Sequence, residues 1–130
     1  MGTCSKPALL IVDDEPALLT SYKLILERSG YEVATAATSA QAYDLLEQTS
    51  FDMLLCDLGL ETPHEGMEVM RHARHCYPEL VCILLTGYLD EDTSEQARKC
   101  NIQALSKPVE VAKLLHTIDL LLQGKNGRRA

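Results

Sequence analysis

A doubly wound α/β sandwich, five parallel strands with helices on both faces, is predicted by three features of this 130-residue chain. Short apolar runs alternate with segments of helical periodicity. The runs lack the in–out alternation of a half-exposed strand, the mark of strands buried on both faces. Polar residues of a few types recur where those runs end.

The first run is Ala8 to Asp13, ALLIVD. A helix from Glu15 to Ser29 follows, carrying Leu18, Leu19, Tyr22, Ile25 and Leu26 at helical spacing and ended by Gly30. Tyr31 to Ala36 reads as the second strand, and Ser39 then caps a helix through about Gln48, with Ala42, Leu45 and Leu46 facing inward. Asp52 to Asp57 is the third strand. After an irregular stretch from Leu58 to Glu65, a helix from Gly66 to Cys76 sets Met67, Met70 and Ala73 or Arg74 in register and stops before Pro78. Leu80 to Thr86 is the fourth strand. A short polar helix opens at Asp92 or Thr93 and runs to about Cys100, Ile102 to Ser106 is the fifth strand, and Val109 to Leu122 is an amphipathic helix. Right-handed crossovers between such strands give a flavodoxin-like (βα)5 three-layer sandwich. Residues 1–7 read as an N-terminal extension, 8–123 as one domain, and 124–130 as a fraying tail or linker stub.

Composition excludes several classes. An apolar fraction of 46% with 24% charged residues suits an ordinary globular domain. No window approaches a membrane span or a secretory leader, which predicts a cytoplasmic protein. The net charge of −7 argues against direct nucleic-acid binding. Five cysteines, at 4, 56, 76, 82 and 100, have no paired spacing, as expected of reduced thiols, with Cys56 and Cys82 as small core residues. His64, His72, His75 and Cys76 could be imagined as a zinc set, but with no paired ligand spacing a solvated helix face is the favoured reading of the last three.

A parallel sheet gathers the carboxyl ends of its strands along one edge. Asp13 and Asp14 follow the first strand, Asp57 ends the third, Thr86 the fourth, and Lys107 follows the fifth. Any one acid in such a place can be a helix cap or turn residue. Together the three acids and the lysine predict a pocket for a divalent cation and phosphate. Without a cation the three acids are expected to repel one another, raising a carboxyl pKa.

The ordered set Ile11-Val12-Asp13-Asp14-Glu15-Pro16, Leu54-Leu55-Cys56-Asp57-Leu58, Leu84-Leu85-Thr86-Gly87-Tyr88 and Ser106-Lys107-Pro108 resembles the response-regulator receiver domain of two-component signalling. The resemblance implies that Asp57 is the phosphoacceptor, served by a phosphohistidine on a sensor histidine kinase or a histidine phosphotransfer protein. It implies magnesium held by Asp14 and Asp57, with Asp13 acting through water and Gly59 through its carbonyl. Lys107 would pair with the phosphoryl group, and the Thr86 hydroxyl would act as the switch that changes a protein-binding surface. Autophosphorylation and autodephosphorylation, without turnover of an external substrate, are what such a domain carries out.

The chain also departs from the family pattern. The turn after Asp57 is longer than the common form, and Ala104 stands where the family carries the aromatic coupled to the switch threonine. Tyr88 offers an aromatic on the same loop, or simple packing. Asp90-Glu91-Asp92 reads as a partner patch or a helix start, and His64 as a loop histidine or an acid–base group. Leu114, Leu115, Ile118 and Leu122 fit a dimer face or a core stripe. Two other functions share these residues: a degenerate receiver that binds partners constitutively, and a magnesium-dependent aspartyl phosphohydrolase. The second needs an aspartate two residues after its nucleophile, where this chain has Gly59.

Overall fold

The computed structural model describes residues 6–57, 65–87, 90–107 and 109–129, with side chains through Gln123. Gly59, His64 and Tyr88 lie outside the described residues, as do Cys4 and most of the N-terminal extension.

The strands are β1 Ala8–Val12, β2 Glu32–Ala36, β3 Met53–Asp57, β4 Val81–Thr86 and β5 Gln103–Ser106. All pair in parallel in one sheet, in the order β2-β1-β3-β4-β5. The apolar runs lie where burial is deepest: every residue of β3 is buried, as are all but the first of β1 and of β4, whereas the edge strands β2 and β5 are only partly covered. The helices α1 Pro16–Arg28, α2 Ser39–Gln48, α3 Glu65–Cys76, α4 Glu91–Lys99 and α5 Val111–Arg129 cover both faces. On one face, Leu10, Leu54, Cys56 and Leu84 pack with Ala42 and Leu46 of α2, Met70 and Ala73 of α3, and Ala97 of α4. On the other, Leu9, Ile11, Leu55, Ile83 and Leu85 pack with Leu19 and Leu26 of α1 and Leu114, Ile118 and Leu122 of α5. The α5 stripe is therefore core. Cys56 and Cys82 are buried, and burial pushes both thiols up from their ordinary range.

Several helix ends differ from the sequence expectation, each for a local reason. Thr38, not Ser39, caps α2: its hydroxyl accepts from the Gln41 N–H at 3.1 Å, while the Gln41 side chain accepts from the Ala37 N–H at 2.7 Å. Asp90 caps α4 by accepting from the Thr93 N–H at 2.7 Å, so the helix opens at Glu91 and the acidic segment is a helix start. Those hydrogen bonds hold the Asp90 carboxyl below its usual range. Gly30 ends α1 as expected, at φ +100°, with Tyr31 N–H reaching back to Leu26 O at 3.2 Å. The backbone of α5 continues to Arg129, past the expected end at Leu122, because each added residue extends the backbone ladder without a proline to stop it.

Asp52 illustrates an acid with a structural task. It lies at the opposite edge of the sheet, where its carboxylate accepts from Ala8 N–H at 2.8 Å and ties the start of β1 to β3.

Candidate functional site

Register brings the predicted residues together. Val12 pairs with Cys56, Asp57 with Leu85 and Thr86 with Ser106, so the residues at and just after these positions share the carboxyl edge of three central strands and β5. The chain leaving β1 is fixed by Asp13 N–H donating to Ala36 O at 3.1 Å. The chain leaving β5 is fixed by Lys107 N–H donating to Thr86 O at 2.7 Å, which sets Thr86 and Lys107 side by side.

Asp13 is 1% exposed, Asp57 9% and Thr86 5%, while Asp14 faces solvent. One carboxylate oxygen from each of Asp13, Asp14 and Asp57 lies within 4.8 Å of the others, the one such convergence of three potential ligands among the described residues. The Lys107 ammonium donates to Asp57 Oδ2 at 2.8 Å and to Asp13 Oδ2 at 3.4 Å. Asp13 Oδ1 accepts from the Glu15 N–H at 3.0 Å.

The expected rise of a carboxyl pKa is found at Asp13, where the Asp57 charge contributes and burial is the larger cause. A cation of the chain's own sits between two of them, and burial rather than like charge is the main force on Asp13. Burial raises the Asp13 carboxyl pKa; the Glu15 N–H and the Lys107 charge oppose it, and the Asp57 charge adds to it. Burial also works against the Lys107 charge, but its bond to Asp57 and the charges of both acids outweigh this and raise its pKa. Lys107 therefore stabilises the fold below its unfolded pKa, and this contribution is lost as pH rises through the higher folded value.

For Asp13 the sign is reversed: a raised acid pKa means the charged form costs stability at neutral pH, a cost relieved as pH falls through the folded pKa. Asp13→Asn keeps an acceptor for the Glu15 N–H and removes that charge. Its metal-free melting temperature is expected to exceed the parent's by about 2–5 °C at neutral pH. The gain should fade on acidification, when the parent's own carboxyl is protonated. A lower melting temperature at neutral pH would show that the Lys107 contact outweighs the burial cost.

Hard oxygen donors at this spacing suit a small divalent cation such as magnesium, which is commonly held by one or two carboxylates with water completing its shell. Sequence reasoning missed Tyr22. Burial raises its phenol pKa, and the charges of Lys107, Asp13, Asp57 and Glu15 all act on it, so α1 brings an aromatic hydroxyl within electrostatic reach of the pocket. Its helical spacing reads only as core packing, and nothing in the sequence marks its distance from Lys107. Ala104 lies beside Leu84 on the α4 side of the sheet, partly buried against that core. The imagined zinc set contributes one close pair: Cys76 Sγ lies 3.8 Å from His72 Nε2, and the His72 ring meets Tyr43 edge-on at 4.9 Å.

Comparisons with known proteins agree with this geometry. The family described as the response regulator receiver domain matches residues 9–119. The chain is 35% identical over 101 residues to the alginate biosynthesis transcriptional regulatory protein AlgB of Pseudomonas aeruginosa, covering 77% of this chain and 22% of that protein. It is 32% identical over 120 residues to the transcriptional regulatory protein GlrR of Escherichia coli, covering 91% of this chain and 27% of that one. The chain thus spans about a quarter of the length of these relatives. Among solved structures, a CheY-like response regulator receiver domain protein from Methanospirillum hungatei superposes with a TM-score of 0.89 at 34% identity, covering 95% of this chain and 99% of that one.

Proposed function

The chain belongs to the response regulator receiver family, and on that premise we propose that Asp57 accepts a phosphoryl group from a phosphohistidine and that the modified domain presents an altered protein-binding surface. The observation that carries this reading is the Lys107 ammonium, 2.8 Å from Asp57, in a pocket that also gathers Asp13 and Asp14.

An Asp57 carboxylate oxygen attacks phosphorus, the P–N bond of the donor breaks, and its electron pair stays on the imidazole nitrogen, which takes up a proton. Hydrolysis reverses the modification when water attacks phosphorus, the P–O bond to Asp57 breaks with its electron pair returning to the carboxylate, and the water's proton passes to solvent as phosphate leaves. Lys107 is the mobile positive charge for an equatorial phosphoryl oxygen, and needs only to exchange one anionic partner for another. Thr86 has a hydroxyl suited to another phosphoryl oxygen, at the start of the loop that leads to α4. Magnesium, when bound, offsets the negative charge of the carboxylates and the transferring group. Asp14 and Asp57 would hold it directly, Asp13 through water, and Gly59 would add its carbonyl.

We assign residues 8–123 to this unit. Its donor is a sensor histidine kinase or a histidine phosphotransfer protein in the cytoplasm, and no external substrate is turned over. Among the described residues no helix is long and apolar enough to cross a membrane.

Incubation of the full chain with acetyl phosphate and magnesium, followed by intact mass, tests the reading. One phosphoryl adduct per chain is expected. No adduct would favour a constitutive interaction module, and repeated turnover of an added phosphoester would favour a phosphohydrolase.

A further inference from the structure

We propose that Arg74 is a positioning residue that pins the C-terminal end of α4 to α3, so that a change at the phosphoacceptor pocket swings α4 about that end. This deepens, and rests on, the reading of Asp57 given above.

Helix α4 is weakly held by packing, since Ala97 is the one buried residue among its nine. Its C-terminal end is nevertheless closely tied. Asn101 takes a left-handed conformation at φ 58°, Asn101 N–H donates to Arg98 O at 3.1 Å, and Ile102 N–H donates to Ala97 O at 2.8 Å. This closed turn still leaves carbonyls at the helix end in need of donors. The Arg74 guanidinium supplies two, with Nη1 donating to Cys100 O at 2.9 Å and Nη2 to Asn101 O at 3.1 Å. Arg74 also lines one surface cleft with Val81 and Cys82 of β4. One side chain therefore links α3 to the turn between α4 and β5. The planar fork suits two carbonyls at once, which an ammonium cannot match.

The other end of α4 has ties of a different kind. The Asp90 carboxylate accepts from Thr93 N–H and Asp90 O accepts from Ser94 N–H at 3.0 Å, bonds internal to the helix start that travel with it. Just after Thr86, a Cβ built on Gly87 would meet nothing within 4 Å, so the backbone there has open space beside it. On β5, Ala104 carries only a methyl group on the face that α4 covers, so no side-chain rotation at that position can relay a movement of Thr86. Displacement of the helix itself remains, with Arg74 fastening one end and, among the described residues, only bonds internal to the helix start at the other.

Amide hydrogen exchange on the full chain, for the parent, Arg74→Met and Arg74→Lys, tests this with and without acetyl phosphate and magnesium, with intact mass read on each sample. Without donor, Arg74→Met should exchange at least about tenfold faster over 97–102, with β1 and β3 unchanged, and Arg74→Lys should fall between it and the parent. Unchanged rates in both variants would mean that only the aliphatic stem matters and would overturn the clamp. With donor, the parent should change over 91–95 and hold over 97–102, while Arg74→Met changes over both. Equal change at both ends of α4 in the modified parent would overturn the pivot. If mass shows no adduct, the reading of Asp57 fails, while the donor-free samples still judge the clamp.

Discussion

Asp57→Asn is expected to abolish the phosphoryl adduct while leaving the fold intact. The amide oxygen is neutral and lacks the electron density with which a carboxylate attacks phosphorus, and no neighbouring group can deprotonate it into a useful nucleophile. Stability should change little, within about 1 kcal/mol, because two effects oppose. Lys107 loses its closer ionic partner, but retains Asp13 at 3.4 Å, and one buried charge is no longer desolvated. Thermal melting and intact mass after incubation with acetyl phosphate read the two halves separately. An unfolded variant would make loss of the adduct uninformative; a folded variant that still gains one adduct would move the acceptor elsewhere.

Lys107→Met is expected to cost stability as well as chemistry. It removes the cation lying 2.8 Å from Asp57 and 3.4 Å from Asp13, and leaves both buried carboxylates to face each other. Removing one partner of a buried ion pair strands the other charge. Because the lysine side chain is 21% exposed and the pocket opens to water on the Asp14 side, the loss should be about 2–3 kcal/mol. Magnesium should restore part of it, since a divalent cation can take over the charge balance. The adduct should form at a rate reduced by at least about tenfold, lacking the ammonium that pairs with the phosphoryl oxygen. Denaturant unfolding with and without magnesium reads the stability; a variant as stable as the parent in metal-free buffer would show that Lys107 does not balance these acids.

The sheet was legible because its central strands carry almost nothing but apolar residues. ALLIV, MLLCD and VCILLT show almost no apolar–polar alternation because helices cover both faces, and the helices between them have regular inward stripes. The acids and lysine were legible for the same topological reason, being polar residues at matched strand ends. Side-chain direction was not. A strand end says where Lys107 leaves the sheet, but not that its ammonium lies between Asp13 and Asp57, so the sequence reads as a cluster of repelling acids. Caps were misplaced where several cap-forming residues adjoin: Thr38 and Ser39 are equivalent by composition, as are Asp90, Asp92 and Thr93, and only backbone conformation separates them. Arg74 was unreadable for a different reason. The stripe of α3 admits Ala73 or Arg74 without saying what the arginine meets, and its partners are backbone carbonyls, which have no signature in sequence. Ala104 was visible as a departure, and its consequence depends on how α4 is attached.

Locating the adduct tests the central claim most directly. Borohydride reduction of the modified full chain converts an acyl phosphate on aspartate to homoserine, which peptide mapping assigns to one position. Conversion at Asp57 alone, dependent on both acetyl phosphate and magnesium, is the predicted result. Conversion at Asp13 or Asp14 with Asp57 unchanged would contradict it, because the buried carboxylate paired with Lys107 would then be a structural partner of the site and not its acceptor.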